Sequence, residues 1–455
     1  MKSTLRAMQQ AVVTAAAGAL LLTLSACSGN PPNPAAVRAA AQVANAGNFS
    51  TTYFLGDSLT AGFQSGSLIS TSQVNGWPPL VAAQAKFPIV LPLIASPGAP
   101  NQLTLLHLAN PPLLSTIAPL PGTSTGRLDF SVQPTDVAVP GSLTNDVLNT
   151  LPQLLPLSGQ QILNQQILGF PGFSSGIADS QAQLAARANP TTIFVWIGNN
   201  DALVADFTGS PASMTPLATF TTQYQQLIGY LTANTNAHLI IANVPDVTAV
   251  PYLQSATLLL GFFSAQTGVP ASVLSGLLGI VPGDLVGLPG VQQVPAILGG
   301  KAKGPISAAN ILHAADAATV RANVAAYNQV IAASASAAGA TLVDLNAVIA
   351  GASANGIAIN GVTGDTSFLG GLFSLDGIHP TNTGYAVIAN AYIDTMNTAF
   401  KTSIPDVNLV TVAATDPLFP PYPGHLLVKP PVQPNAIPII HLSAERVGEI
   451  LGKHE

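Results

Sequence analysis

The sequence predicts an α/β protein of three layers, a parallel five-stranded sheet with helices on both faces. Two patterns predict it. Short apolar, β-branched runs recur at residues 51–55, 136–139, 191–197, 238–242 and 341–345, and strands apolar all round belong to sheets buried on both sides. Between them, residues 215–232, 314–338 and 383–400 carry apolar side chains at helical spacing, so strands and helices alternate as crossover connections require.

The N-terminus comes first in order. Lys2 and Arg6 precede an apolar stretch over residues 11–24, too short to span a bilayer and suited to a signal peptide over residues 1–26. It ends in Leu24-Ser25-Ala26-Cys27, which resembles the lipobox of bacterial lipoproteins; Cys27 is the single cysteine, so no intramolecular disulfide can form. The resemblance implies lipidation at Cys27 and membrane attachment in a bacterial envelope. Ser28 in place of aspartate points to the outer membrane if the source is Gram-negative. Residues 27–48, rich in Ala, Pro and Asn, read as a lipidated tether.

Residues 49–403 read as the folded domain. In the helix over 215–232, Phe220, Tyr224, Leu227 and Ile228 share one face. Two apolar insertions, about 64–133 and 253–313, exceed a minimal sheet-and-helix pattern; Gly and Pro break both, so neither offers a membrane span. They suit extra core packing or an apolar wall over the site. Residues 404–455, punctuated by prolines, read as an extended tail ending in a short helix over 443–451. With 48% hydrophobic residues the chain can bury a large core, and a net charge of −6 with thirteen basic residues gives no footprint for nucleic acid.

The chemistry lies in four blocks. Gly56-Asp57-Ser58-Leu59 closes the first strand, Val139-Pro140-Gly141 the second and Gly198-Asn199-Asn200-Asp201 the third, and Asp376-Gly377-Ile378-His379 precedes the last helix. A serine needs an imidazole to take its proton, and the imidazole needs a carboxylate to fix its tautomer. Taken alone, Ser58 suits a helix N-cap, Gly141 a Pro-Gly turn and Asn200 an ordinary turn.

Together the blocks resemble those of the SGNH/GDSL hydrolase family in its bacterial lipoprotein form. The resemblance implies a flavodoxin-like fold and a secreted, lipid-anchored esterase or lipase. It assigns Ser58 as nucleophile, His379 as base and Asp376 as the group orienting it. The oxyanion donors are the N–H groups of Ser58 and Gly141 and the side-chain amide of Asn200. Asn199 is the variable position, Asp57 a capping residue and Asp201 structural support. Asn243-Val244-Pro245-Asp246 and Tyr327-Asn328 also resemble motifs of lipase-like members. The expected substrate is a carboxylic ester with an apolar acyl group. The alternatives are a glycan deacetylase, disfavoured by 6% aromatic residues and two Trp, and a non-catalytic envelope-binding lipoprotein, disfavoured by the intact set of residues. No metal-ligand cluster or phosphate-binding loop is present, so neither metal nor cofactor is implied.

Overall fold

Four short strands, apolar on both faces, form the centre of the structure, a computed structural model that describes residues 33–108, 113–118, 126–422 and 437–452. They are β1 (Thr52–Gly56), β2 (Thr192–Trp196), β3 (His238–Ala242) and β4 (Thr341–Val343), parallel and adjacent in that order. The helices that matter for the site are α1 (Pro34–Ala44), α2 (Trp77–Ala85), α3 (Gln181–Ala188), α4 (Asn199–Thr208), α5 (Leu217–Asn234), α6 (Ala314–Ala337) and α7 (Asn382–Phe400). The signal peptide and Cys27 lie outside the described residues, as do Pro423, Pro430, Pro431 and Pro434 of the tail.

The expected fifth strand, residues 136–139, is only a bridge. Phe54 donates to the Thr135 carbonyl (2.9 Å) and accepts from Val137 N–H (3.0 Å), which sets the segment parallel beside β1 at the Phe54–Asp136 bridge. The next rung needs Gly56 N–H, but that group donates to Gln181 Oε1 at 2.9 Å. Nε2 of the same side chain donates back to the Gly56 carbonyl at 3.0 Å. A side-chain amide thus takes the Gly56 N–H, while the Gly56 carbonyl still accepts from Val139 N–H at 3.2 Å, so the edge segment pairs irregularly and the sheet has four strands with a one-bridge edge. Counting that edge, the strand order places the second segment outside the first, so the connections reverse between β1 and β2. Ligands of open α/β sheets bind at such a switch point.

Alternating side chains give the sheet two different faces. On one, Tyr53, Leu55, Ile193, Val195 and Ile241 meet α5 and α6 through Phe220, Tyr224, Leu227, Val324 and Tyr327. On the other, Phe54, Phe194, Trp196 and Ile240 meet α2 and α7 through Trp77, Val81, Tyr385 and Tyr392. Phe54 stacks on Phe194 at 4.6 Å and Trp77 on Tyr392 at 3.9 Å. The first insertion therefore supplies α2, an integral part of a layer, and adds the hairpin Leu103–His107 with Leu113–Thr116.

Residues 253–313 build a satellite unit. Leu253–Ser255, Leu285–Gly287 and Ile311–Leu312 form an antiparallel sheet, and Leu259, Phe263, Leu274, Val291 and Val294 fill a core of its own. Ile437 and Ile440 of the tail are buried in that core, and Arg446 Nε donates to the Leu298 carbonyl at 2.8 Å. The expected short helix ends the tail as Ala444–Ile450, but the segment before it is not simply extended, because helix Leu409–Thr415 interrupts it. Nor is residue 34 onward a free tether. Asn33 caps α1 by accepting from Ala35 N–H, and Gln42 Nε2 donates to the carbonyls of Thr232 and Thr235 at the end of α5. No single described helix is long and apolar enough to cross a membrane.

The stacked aromatic face leads to a stability prediction. Phe194 is fully buried between Phe54 and the helices. Phe194→Ala should cost about 3–5 kcal/mol in urea unfolding, because the rigid sheet cannot close the cavity. A loss below about 1 kcal/mol would contradict that packing.

Candidate active site

Three strand ends and one loop converge at the switch point. Ser58 opens the turn Ser58–Ala61, which Asp57 caps by accepting from Leu59 N–H at 3.0 Å. As the first helical residue, Ser58 has an N–H with no partner inside the helix. Gly56 before it must be glycine, since a Cβ there would lie 2.4 Å from the Trp196 carbonyl oxygen on β2.

Ser58 Oγ lies 2.8 Å from His379 Nε2, and His379 Nδ1 lies 2.9 Å from Asp376 Oδ2. A carboxylate at Nδ1 keeps the proton there and leaves Nε2 to accept from the serine hydroxyl. Asp376 is held tightly. Oδ2 also accepts from Gly66 N–H at 2.6 Å, and Oδ1 accepts from the N–H groups of Ile378 (2.8 Å) and His379 (2.9 Å). Burial alone would push this carboxyl up, but the His379 charge and these donors outweigh it and hold it below the usual range. Both side chains are 12% exposed, and the Phe63 ring packs 4.6 Å from the imidazole.

The second and third blocks are tied to each other. Asn200 Nδ2 donates to the Ser142 carbonyl at 2.9 Å, beside Gly141. An amide carries two N–H bonds, so one remains for another acceptor. Asp201 Oδ2 accepts from both the N–H and the hydroxyl of Thr144 at 2.9 Å. Gly141 sits at φ +82°, which only glycine adopts readily, and this turns its peptide at the end of the edge segment. The structure thus brings together Ser58, Asp376 and His379, and links Gly141 to Asn200 through Ser142.

Several site residues go beyond the sequence reading. Asn199, in the variable position, donates from Nδ2 to Asp57 Oδ2 at 2.9 Å. Burial pushes Asp57 up to about 6, against the lowering influence of Asn199, Leu59 and His379. Ser374 Oγ accepts from Ser65 N–H at 2.8 Å, joining the start of the first insertion to the histidine loop. The variable position gives no sequence signal for Asn199, and Gln181, 125 residues from Gly56, gives none either. A hydroxyl of the Ser-Gly pair Ser65-Gly66 suggests a turn but no partner. Of the other described histidines, His238 bonds Thr341 and His313 pairs with Asp284.

Behind the loops lies a small apolar cavity of about 50 Å³, lined by Leu59, Trp196, Phe373 and Ile378 among others. Residues 253–313 contribute none of its lining, so their apolar side chains serve the satellite core rather than this cavity. Among the described residues no group of three or more His, Cys, Asp or Glu is placed to hold a metal ion.

The GDSL-like Lipase/Acylhydrolase family model matches residues 53–392, a span that includes all five residues above. None of the curated proteins compared with the chain matches it. Among solved structures, the chain is similar to phospholipase A1 from Streptomyces albidoflavus, with 15% identity, 76% of this chain and 98% of that one covered, and a TM-score of 0.33. It is similar to a lipase/acylhydrolase from Enterococcus faecalis at 13% identity, 78% and 99% coverage and a TM-score of 0.31. An acetyl xylan esterase from Geobacillus stearothermophilus is similar at 12% identity, 77% and 96% coverage and a TM-score of 0.34.

A buried acid on the Asn200 helix makes stability depend on pH. Neither oxygen of Asp206 in α4 has a hydrogen-bond partner among the described residues. Burial, with Asp246 nearby, pushes its carboxyl up to about 8. Between about 4 and 8 the native state then holds a proton that the unfolded chain has lost, so unfolding free energy falls as pH rises through that window. Asp206→Asn should raise Tm at pH 9 clearly more than at pH 4. An equal gain at both would rule out the raised carboxyl.

Proposed function

The chain belongs to the GDSL-like lipase/acylhydrolase family, and from that premise we propose that it is a serine ester hydrolase acting through an acyl-enzyme. The carrying observation is the unbroken hydrogen-bond chain Ser58 Oγ, His379 Nε2, His379 Nδ1, Asp376 Oδ2, with both links within 2.9 Å. Ser58 Oγ attacks the ester carbonyl as His379 takes its proton. The tetrahedral oxyanion accepts from the N–H groups of Ser58 and Gly141 and from the second N–H of Asn200. Asp376 stabilises the imidazolium and keeps the ring in place. His379 then protonates the departing alcohol, and water, deprotonated by the same imidazole, releases the acid and restores Ser58.

The substrates proposed are carboxylic esters with apolar acyl groups. What supports that choice is the apolar setting of the imidazole, with Phe63 against one side of the ring and Ile378 beside it in the chain. A panel of p-nitrophenyl esters from acetyl to palmitoyl, run beside acetylated xylan, tests it. Ser58→Ala should be folded and inactive. Asn200→Ala should lose about 10²–10³ in kcat with little change in KM, since its donor acts mainly on the transition state. Asp376→Asn should turn over slowly but measurably. A folded Ser58→Ala with most of its activity would refute the nucleophile, and activity on acetylated xylan alone would replace the substrate class.

We further propose that the chain is exported and anchored through a lipid on Cys27. The lipobox-like run and the single cysteine support this. Cells making the parent chain should incorporate labelled palmitate into it, and cells making Cys27→Ala should not. Equal labelling of both would remove the anchor.

A further inference from the structure

The chain that follows Gly141 leaves large apolar side chains in water. Leu154 is 69% exposed, Leu155 80% and Leu157 91%, with Leu143, Leu151 and Ile162 also exposed. Single exposed leucines are ordinary; six within twenty residues form a patch of the kind that marks an interaction surface. The segment is fixed at the rim of the site. Gln160 Nε2 donates at 2.8 Å to the Pro140 carbonyl, which belongs to the same peptide unit as Gly141 N–H. At the other end, Thr144 is gripped by Asp201. The backbone between is braced: Gln165 Nε2 donates to the carbonyls of Gln153 and Leu154, and Leu157 N–H donates to Gln161 Oε1. The leucines are therefore held outward.

We propose that residues 143–162 form a docking surface for an uncharged lipid layer, namely zwitterionic phospholipid, which brings Ser58 to esters held there. The inference rests on the ester-hydrolase reading above. Charge selects the occupant. The one charged residue of this surface, Asp146, is tied to Leu143 N–H and the Thr150 hydroxyl, and from Val147 to Ala178 the chain carries no Asp, Glu, Lys, Arg or His. Such a rim offers no attraction to anionic headgroups or to a charged protein, and a chain of net charge −6 repels an anionic membrane. Leucines without a basic ring suit the boundary between headgroups and acyl chains of a neutral layer, where burial of apolar area alone drives binding.

The test compares the full chain with a Leu154→Gln/Leu155→Gln/Leu157→Gln variant, both carrying Cys27→Ala so that no acyl chain at that residue contributes. Two readouts are taken: sedimentation with phosphatidylcholine vesicles, and hydrolysis of dissolved p-nitrophenyl butyrate against a long-chain ester embedded in those vesicles. The variant should lose about tenfold in vesicle partition and in the rate on the embedded ester, and keep the butyrate rate within about twofold. Partition of the unsubstituted rim should not change with salt or with added phosphatidylserine. Equal partition of the two proteins would overturn the proposal, as would binding that needs phosphatidylserine and fades with salt. A rim that binds no vesicles but forms a dimer lost in the variant would assign the patch to a second copy instead. Failure of both proteins on every ester would sink the hydrolase reading, while vesicle partition would still decide the docking.

Discussion

The site depends on one carboxylate. Asp376 accepts from three backbone N–H groups and from the imidazole, and these come from two stretches of chain far apart in sequence. With both oxygens satisfied, the carboxylate has one orientation, so the imidazole has one tautomer and one direction, and Ser58 has its acceptor. The same device recurs at Asp57, which accepts from Leu59 and Asn199, and at Asp201, which accepts from Thr144 and Thr215. Buried carboxylates that are fully hydrogen-bonded act here as joints between loops, each fixing a backbone turn that a flexible contact would leave loose.

The sheet places these joints. Strand ends can meet at one point only where neighbouring connections leave in opposite directions, and the β1–β2 boundary is that place. Gln181 sharpens it. Its side chain takes the Gly56 N–H that would otherwise pair with the edge segment, leaving the Gly56 carbonyl to accept from Val139 N–H at 3.2 Å, and its Nε2 also reaches Ser142 Oγ at 3.2 Å. One amide from α3 therefore touches both the strand that leads to Ser58 and the loop of Gly141. The chain just before the satellite unit meets this chemistry at Tyr252, whose N–H donates to the Gly377 carbonyl at 2.8 Å, and Leu288 of the unit packs in the cluster of Leu375.

What was legible in the sequence is what chemistry or periodicity writes locally. The period of 3.6 puts Phe220, Tyr224, Leu227 and Ile228 on one face of α5, and all four are buried. A carboxylate three residues before a histidine shares its loop, so Asp376 and His379 can be paired from spacing. Apolar runs report burial, not backbone pairing, which is why 136–139 reads as a strand although a side chain occupies its rung. Prolines report where helices cannot pass, and so hide the helix Leu409–Thr415 between them. Partners such as Asn199 for Asp57 or Gly66 for Asp376 are set by tertiary approach, and no local pattern announces them. No sequence pattern marks the rim leucines, because exposure of an apolar side chain cannot be seen until the fold decides which of them find a core.

The span between Ser58 and His379 is 321 residues, and between Gly66 and Asp376 it is 310. An unfinished chain is for that reason inert. A nascent polypeptide that has released β1, β2 and β3 carries Ser58, yet His379 can reach it only when the last loop docks against the first. Closing so long a loop is entropically costly and waits on the sheet and both helix layers. The proposed ester cleavage can begin only when nearly the whole domain has been made and folded.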